Sequence, residues 1–126
     1  MVINYMNDCV FCKIIKGEIP SYTIFEDDVV KVFLSIDPIS NGHALVVPKK
    51  HYKDFTDIDL DTLSHINQVS KKMYKLLDDK LHFIGLKFVQ NNGSFQDIKH
   101  YHLHLIPAYE NEEKLSLEKV SQILKD

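Results

Sequence analysis

Apolar and polar positions along this chain follow two rhythms. Leu60, Leu63, Ile66, Val69, Met73 and Leu77 recur at steps of three and four, the spacing that lines one face of a helix. It predicts one long helix over about 61–78. Asp57, Asp59 and Asp61 cluster at its start, and Lys71, Lys72, Lys75 and Lys80 come late, as the helix dipole favours. Elsewhere, short β-branched and aromatic runs are bounded by turn residues. Residues 24–25 and 29–34 flank Asp27-Asp28 and predict a hairpin. Strands are also predicted at 43–47, stopped by Pro48, at 86–90 before Asn91-Asn92-Gly93, and at 101–106, ended by Pro107. Asp37-Pro38 and Asn41-Gly42 mark turns. Short helices are predicted at 9–16, closed by Gly17, and at 115–124. Several strands around one long helix, joined by short turns, predict an antiparallel α+β domain rather than a parallel sheet.

Composition narrows the function classes. The 126 residues suit one domain over 1–126, with a motif-bearing core at 9–107 and a C-terminal helical segment at 112–126. A hydrophobic share of 44% and a charged share of 26% place the chain with globular proteins rather than disordered ones. The net charge of −3 argues against a general nucleic-acid binder, which needs a basic face. No apolar run approaches the roughly 20 residues of a membrane helix, and residues 1–6 lack the pattern of a secretory leader. The only cysteines are Cys9 and Cys12, too few for a disulfide framework. The expectation is a reduced, cytoplasmic protein with neither a membrane nor a nucleic acid as partner.

The candidate chemistry lies in the histidines. His100, His102 and His104 alternate with Tyr101, Leu103 and Leu105. On a strand, the three imidazoles form one row, at intervals of roughly 6.6–6.8 Å, while the apolar set packs on a core. A neutral imidazole serves as nucleophile, base or metal ligand near pH 7. The row therefore reads in three ways: a metal site, a nucleophile between two hydrogen-bond donors, or exposed surface histidines. Cys9-x-x-Cys12 has the spacing of zinc ligands, but two thiols cannot close a tetrahedral site alone, and a redox pair or two free thiols remain open.

The run from His100 to Pro107 resembles the His-φ-His-φ-His-φ-φ signature (φ apolar) of the histidine triad (HIT) superfamily. Cys9-Val10-Phe11-Cys12-Lys13-Ile14-Ile15-Lys16-Gly17-Glu18-Ile19-Pro20 resembles the opening of the branch of histidine triad nucleotide-binding proteins. Gly42-His43-Ala44-Leu45-Val46-Val47-Pro48-Lys49-Lys50-His51 is similar to that branch's central strand, and Asn91-Asn92-Gly93 with Gln96 to its phosphate loop.

The resemblance implies a five-stranded antiparallel sheet with helices on one side: one long, one short N-terminal and one C-terminal. It also implies a homodimer. The implied reaction is attack on the α-phosphorus of a purine nucleotide, with His102 as nucleophile, a nucleotidyl-histidine intermediate and release of a nucleoside monophosphate. His104 supplies a hydrogen bond beside the phosphate, His100 neighbours the nucleophile, and His43 orients the triad from the adjacent strand. Nucleotidyltransferases of the superfamily tend to carry Gln at the third triad position; His104 here implies a hydrolase. Asn91 and Gln96 are implied to contact phosphate. Phe11, Ile14, Phe33, Ile36 and Leu45 are implied to form the slot for base and sugar. In the zinc-binding members the ligands match Cys9, Cys12, His51 and His100, a structural site because four protein ligands leave no open position.

Three features depart from the family's pattern. Ser35 stands where an acidic residue binds the ribose hydroxyls. The loop from Gly93 to Gln96 is shorter and lacks the Ala-Gly before Gln. Asp97 stands where a small polar residue contacts the phosphate or leaving group, and an anion there repels phosphate unless it faces away or pairs with Lys99. The leading expectation is a hydrolase of phosphoramidates, aminoacyl-adenylates or dinucleoside polyphosphates. The alternatives are a non-catalytic purine-nucleotide-binding or scaffolding protein with an altered phosphate loop, and a hydrolase whose imidazole row holds a catalytic metal.

Overall fold

A computed structural model describes residues 8–126, so the reading of 1–6 lies outside the described residues. The alternating segments pair into a five-stranded antiparallel sheet. Its strands are β1 (Thr23–Glu26), β2 (Val30–Leu34), β3 (Ala44–Pro48), β4 (Gly85–Gln90) and β5 (Leu103–Ala108), lying side by side in the order β1-β2-β3-β5-β4. The Asp27 carboxylate closes the β1–β2 hairpin by accepting the N–H groups of Val29 and Val30 at 2.9 and 2.8 Å. His65 Nε2 lies 2.7 Å from the other Asp27 oxygen. That histidine, outside the sequence motifs, fastens the long helix to the hairpin.

Helix α2 (Leu60–Leu81) is the periodic segment. Asp59 caps it by accepting the Thr62 N–H at 3.1 Å. It runs three residues past the predicted end because Leu81 resumes the apolar rhythm after Asp78-Asp79-Lys80, and it stops at His82 in the left-handed region, φ 53°. Helix α1 (Val10–Lys16) ends on Gly17, φ 86°, and α3 (Leu117–Lys125) begins on a Ser116 cap.

The helices divide between the two faces of the sheet, which corrects the one-sided arrangement expected from the resemblance. Val30, Val32, Leu34, Ala44, Val46 and Leu105 meet Ile66, Val69, Met73 and Leu77 of α2 and Val120 and Leu124 of α3. Phe33, Leu45 and Val47, of opposite parity, meet Phe11, Ile14 and Ile15 of α1. Burial on both faces is why β3 is an unbroken apolar run instead of an alternating one.

The two strands that carry prolines differ from expectation at their ends. β3 includes Pro48, and β5 starts at Leu103 and continues through Pro107 to Ala108. Both prolines lie beyond the rungs that join β3 to β5, which span only Ala44–Val46 and Leu103–Leu105, so each has one neighbouring strand at its level. A residue without an N–H is tolerated there.

Candidate functional site

His104 lies within the β5 ladder, opposite Leu45 of β3. Tyr101 and His102 form its unpaired lead-in, and His100 ends the bend before them, its N–H donating to the Ile98 carbonyl at 2.9 Å. The Tyr101 N–H donates to the Tyr52 carbonyl at 2.7 Å, which preserves the alternation before the ladder begins. Tyr101 and Leu105 enter the core beneath α2. The three histidines take the opposite parity, toward α1. His100 is fully buried, His102 nearly so, and Phe11 of α1 meets both edge-on, with centroids 5.9 and 4.9 Å away. The His102 and His104 rings stand 4.9 Å apart.

Hydrogen bonds to the backbone fix where each neutral ring carries its proton. The Ile39 N–H points at His43 Nδ1, 3.0 Å away. An amide only donates, so His43 holds its proton on Nε2 and donates it to His104 Nδ1 at 2.9 Å. The proton of neutral His104 therefore resides on Nε2. His102 Nδ1 lies 2.7 Å from the His100 carbonyl. A carbonyl only accepts, so His102 is protonated on Nδ1 and carries a lone pair on Nε2. His100 Nε2 lies 2.8 Å from the Pro48 carbonyl, which leaves the His100 lone pair on Nδ1.

Burial keeps these rings neutral. It pushes His43 and His100 down to about 4. It also lowers His102 and His104 below the ordinary histidine value, against the opposing pull of Asp97 on each. A lone pair on His102 Nε2 thus stands beside an N–H on His104 Nε2, the pairing a nucleophile and a phosphate-oxygen donor require.

A second cluster adjoins the first. One ligand atom from each of Cys9, Cys12, His51 and His100 lies within 4.8 Å of every other. The His100 Nδ1 lone pair faces Cys9 Sγ at 3.4 Å and Cys12 Sγ at 3.5 Å, and His51 Nδ1 lies 3.3 Å from Cys12 Sγ. Tetrahedral zinc, with bonds of about 2.3 Å to sulfur and 2.0–2.1 Å to nitrogen, separates S and N by about 3.6 Å. The donor set fits a metal in element and in spacing. No disulfide joins Cys9 to Cys12, and Cys9 caps α1 by accepting the Cys12 N–H at 3.3 Å.

The other sequence-predicted residues fall unevenly around the histidines. Phe11, Ile14, Phe33 and Leu45 pack together in one cluster, each 6% exposed or less, so they can offer a ligand only an edge. Ile36 is 83% exposed and presents its whole side chain. Ser35 Oγ accepts the Asp37 N–H at 3.3 Å, and the Ser35 N–H donates to the His43 carbonyl at 2.9 Å. Asn91 is half-buried at the end of β4. Gln96 is buried. Its amide N–H donates to the Lys53 carbonyl at 2.7 Å, and its Oε1 is without a partner among the described residues. Asp97 neither faces away nor pairs with Lys99. Its Oδ1 lies 3.7 Å from His102 Nε2, while Lys99 donates to the Gly93 carbonyl at 2.7 Å.

The groups that set the tautomers carry no side-chain signal, because Ile39, Pro48 and His100 act through main-chain atoms. Asn41, marked in the sequence only as a turn residue, has a second task. It accepts the Leu115 N–H, donates to the Glu113 carbonyl, and so straps the C-terminal segment to the turn that precedes His43. Gly42 had its turn signal, but its tight fit appears only in three dimensions. A Cβ there would meet Leu81 Cδ1 at 2.5 Å and Leu77 Cδ2 at 3.3 Å.

Comparison with known proteins finds relatives of this chain in sequence and in fold. The family model for the HIT domain matches residues 16–111. An uncharacterised HIT-like protein of Methanocaldococcus jannaschii is 46% identical over 106 residues, covering 82% of this chain and 81% of that protein. An adenosine 5'-monophosphoramidase of Candida albicans is 43% identical over 105 residues, covering 79% of this chain and 69% of its own. The crystal structure of a zinc-bound histidine triad family protein from Mycobacterium smegmatis superposes with a TM-score of 0.87 at 31% identity, covering 94% of this chain and 91% of that one.

Proposed function

The chain belongs to the histidine triad (HIT) family, and from that premise we propose that it is a nucleotide hydrolase acting at an α-phosphorus. The observation that carries the reading is the proton pattern: the lone pair on His102 Nε2 beside the N–H on His104 Nε2. The Nε2 lone pair forms the P–N bond as the bond to the leaving group breaks, its electron pair departing with that group. An amine takes up one proton from solvent; from the other substrates the bridging oxygen departs with the electron pair, as a carboxylate or a phosphate. Water then attacks the phosphorus, Nε2 recovers its electron pair, and one water proton returns to solvent. The product is a nucleoside monophosphate. Splitting the displacement in two suits imidazole, which attacks and leaves readily. His104, oriented by His43, donates to an equatorial phosphate oxygen, with Asn91 and Gln96 nearby in the loop.

The substrate class is phosphoramidates, aminoacyl-adenylates or dinucleoside polyphosphates of purine nucleosides, in keeping with the phosphoramidase named among the relatives. In this reading exposed Ile36 offers the open apolar surface for the nucleoside, Phe11, Ile14, Phe33 and Leu45 contribute edges, and Ser35 would take the ribose. We assign zinc to Cys9, Cys12, His51 and His100. When bound, it supplies a closed structural crosslink between α1 and the lead-in to β5, with no open position for substrate. Reduced thiols suit a cytoplasmic setting, and among the described residues no helix is long and apolar enough to cross a membrane.

A second copy of the chain is the proposed partner. Between α2 and β4 lies an apolar cavity of about 940 Å³ with Phe55, Tyr74 and Phe88 at its wall. A two-fold pairing there covers these exposed rings and the free edge of β4.

The test is turnover of an AMP–amine conjugate by the wild type and by His102→Ala. The variant should lose all but background activity, and equal rates would sink the assigned nucleophile. Tight AMP binding by calorimetry with no turnover of any substrate class would identify a binding protein instead.

A further inference from the structure

Among the described residues the reacting nitrogen has one charged neighbour within ion-pair distance, and it has the wrong sign for phosphate. Asp97 Oδ1 lies 3.7 Å from His102 Nε2, and the Asp97 side chain is 80% exposed. The same oxygen accepts the Ile98 N–H at 2.9 Å, which holds the carboxylate toward the histidine. No lysine offsets it within ion-pair distance among the described residues. Lys99 is occupied with the Gly93 carbonyl, and the chain contains no arginine. A phosphorus poised for attack sits roughly 3–3.5 Å from Nε2, so the carboxylate borders the space that a substrate must fill. Phe11 and the His100 carbonyl close the other side of the His102 ring. The leaving group therefore extends toward solvent, the side on which Asp97 stands.

We propose that Asp97 is a specificity-determining residue that selects substrates by the charge of the leaving group. It favours an α-phosphate joined to a cationic, amine-bearing group and disfavours one joined to further phosphates. This inference rests on the nucleotide-hydrolase reading of the site and sharpens it. An α-phosphate diester or amidate carries one negative charge. A polyphosphate leaving group adds at least two more beside Asp97, whereas an ammonium tail replaces repulsion with attraction. Asp97 acts on binding charge alone, and no proton or bond is assigned to it. Because the carboxylate is wet, the interaction is that of an exposed pair, about fivefold in affinity at low salt and less at high salt.

The experiment compares three probes: an adenosine 5'-phosphoramidate with an N-(4-aminobutyl) tail, its N-pentyl isostere, and diadenosine triphosphate. The wild type should prefer the cationic amidate over the neutral one by about fivefold in kcat/KM. Asp97→Asn should bring that ratio close to one and raise kcat/KM for diadenosine triphosphate by a similar factor. Salt at about 0.5 M should compress the wild-type ratio and leave the variant's unchanged. A ratio that survives in Asp97→Asn overturns the proposal. If the wild type hydrolyses none of the probes, the hydrolase reading fails, and dissociation constants decide the role of Asp97. These would be measured for both amidates on His102→Ala and on His102→Ala with Asp97→Asn. A cationic preference that disappears with the carboxylate supports the inference, and one that remains refutes it.

Discussion

His43 makes two hydrogen bonds with different consequences, and substitution can separate them. Its Nδ1 accepts the Ile39 N–H at 3.0 Å, and its Nε2 donates to His104 Nδ1 at 2.9 Å. Phe at this position keeps a ring but removes both bonds. The Ile39 N–H then loses its partner; Ile39 is exposed, so water can replace it and the cost is that of one ordinary hydrogen bond, about 0.5–1.5 kcal/mol of stability. His104 loses the group that holds its proton on Nε2, so the tautomer with the lone pair toward the phosphate becomes populated. A charge-assisted hydrogen bond contributes about 1.5–3 kcal/mol, so kcat should fall about 10- to 100-fold. Gln is the informative second variant. Its Nε2 reaches the region of the imidazole Nε2 and can donate to His104, but it has nothing at the Nδ1 position. His43→Gln should recover most of kcat while keeping the stability loss. Steady-state kinetics and urea denaturation give the two quantities, and long-range 15N–1H spectra of the imidazoles report the His104 tautomer directly. If the Phe variant retains the Nε2–H form of His104, or if Gln and Phe lower kcat equally, the proton chain from Ile39 to His104 is refuted.

Three further expectations follow from the same geometry. His43 has its value depressed to about 4 by burial, with repulsion from His104 adding to it, so the unfolded chain binds more protons than the folded one below about 6.5. The stability from neutral His43 is complete above about 6.5 and is lost as pH falls toward about 4; denaturation midpoints that stay level across that window in the wild type, or slope equally in His43→Phe, would contradict it. Zinc should bind at one ion per chain to the reduced protein and raise its melting temperature, by an increment equivalent to about 4 kcal/mol at a thousandfold excess over Kd. Cys12→Ser should abolish most of that shift, and elemental analysis finding no metal at saturating zinc would remove the assignment. Gly42→Ala places a side chain at φ 85° and 2.5 Å from Leu81 Cδ1. The left-handed backbone alone costs about 1–2 kcal/mol, so the urea midpoint should drop even if Leu81 swings aside, and an unchanged midpoint would show that the turn relaxes.

The parts of this molecule legible in its sequence are those that side-chain pattern encodes. The spacing from Leu60 to Leu77 marked α2, the acidic cluster of Asp57, Asp59 and Asp61 its start, and Gly17 the end of α1, because periodicity, charge bias and a glycine stop are local properties. The histidine alternation marked one face even though the ladder begins only at Leu103, since Tyr101 is drawn into the core under α2 while His100 and His102 meet Phe11 on the other side, without strand pairing. The division of helices between two faces was harder to read. Strands buried on both sides carry no polar stripe to say which neighbour covers which face. Within the site, the residue types were visible but their protonation was not. The lone pair on His102 Nε2 exists because a carbonyl faces Nδ1, and the lone pair on His100 Nδ1 because a carbonyl faces Nε2. Two chemically identical side chains, two residues apart, are thereby turned to different ends, one lone pair toward the thiols and the other toward Asp97 and solvent. Any residue can supply a carbonyl, so sequence alone cannot mark which nitrogen of each ring is free. The same holds for Asp97, whose identity was evident but whose effect depends on the Lys99 ammonium being held by Gly93. What separates the metal cluster from the candidate nucleophile is therefore the path of the backbone between Pro48 and His102.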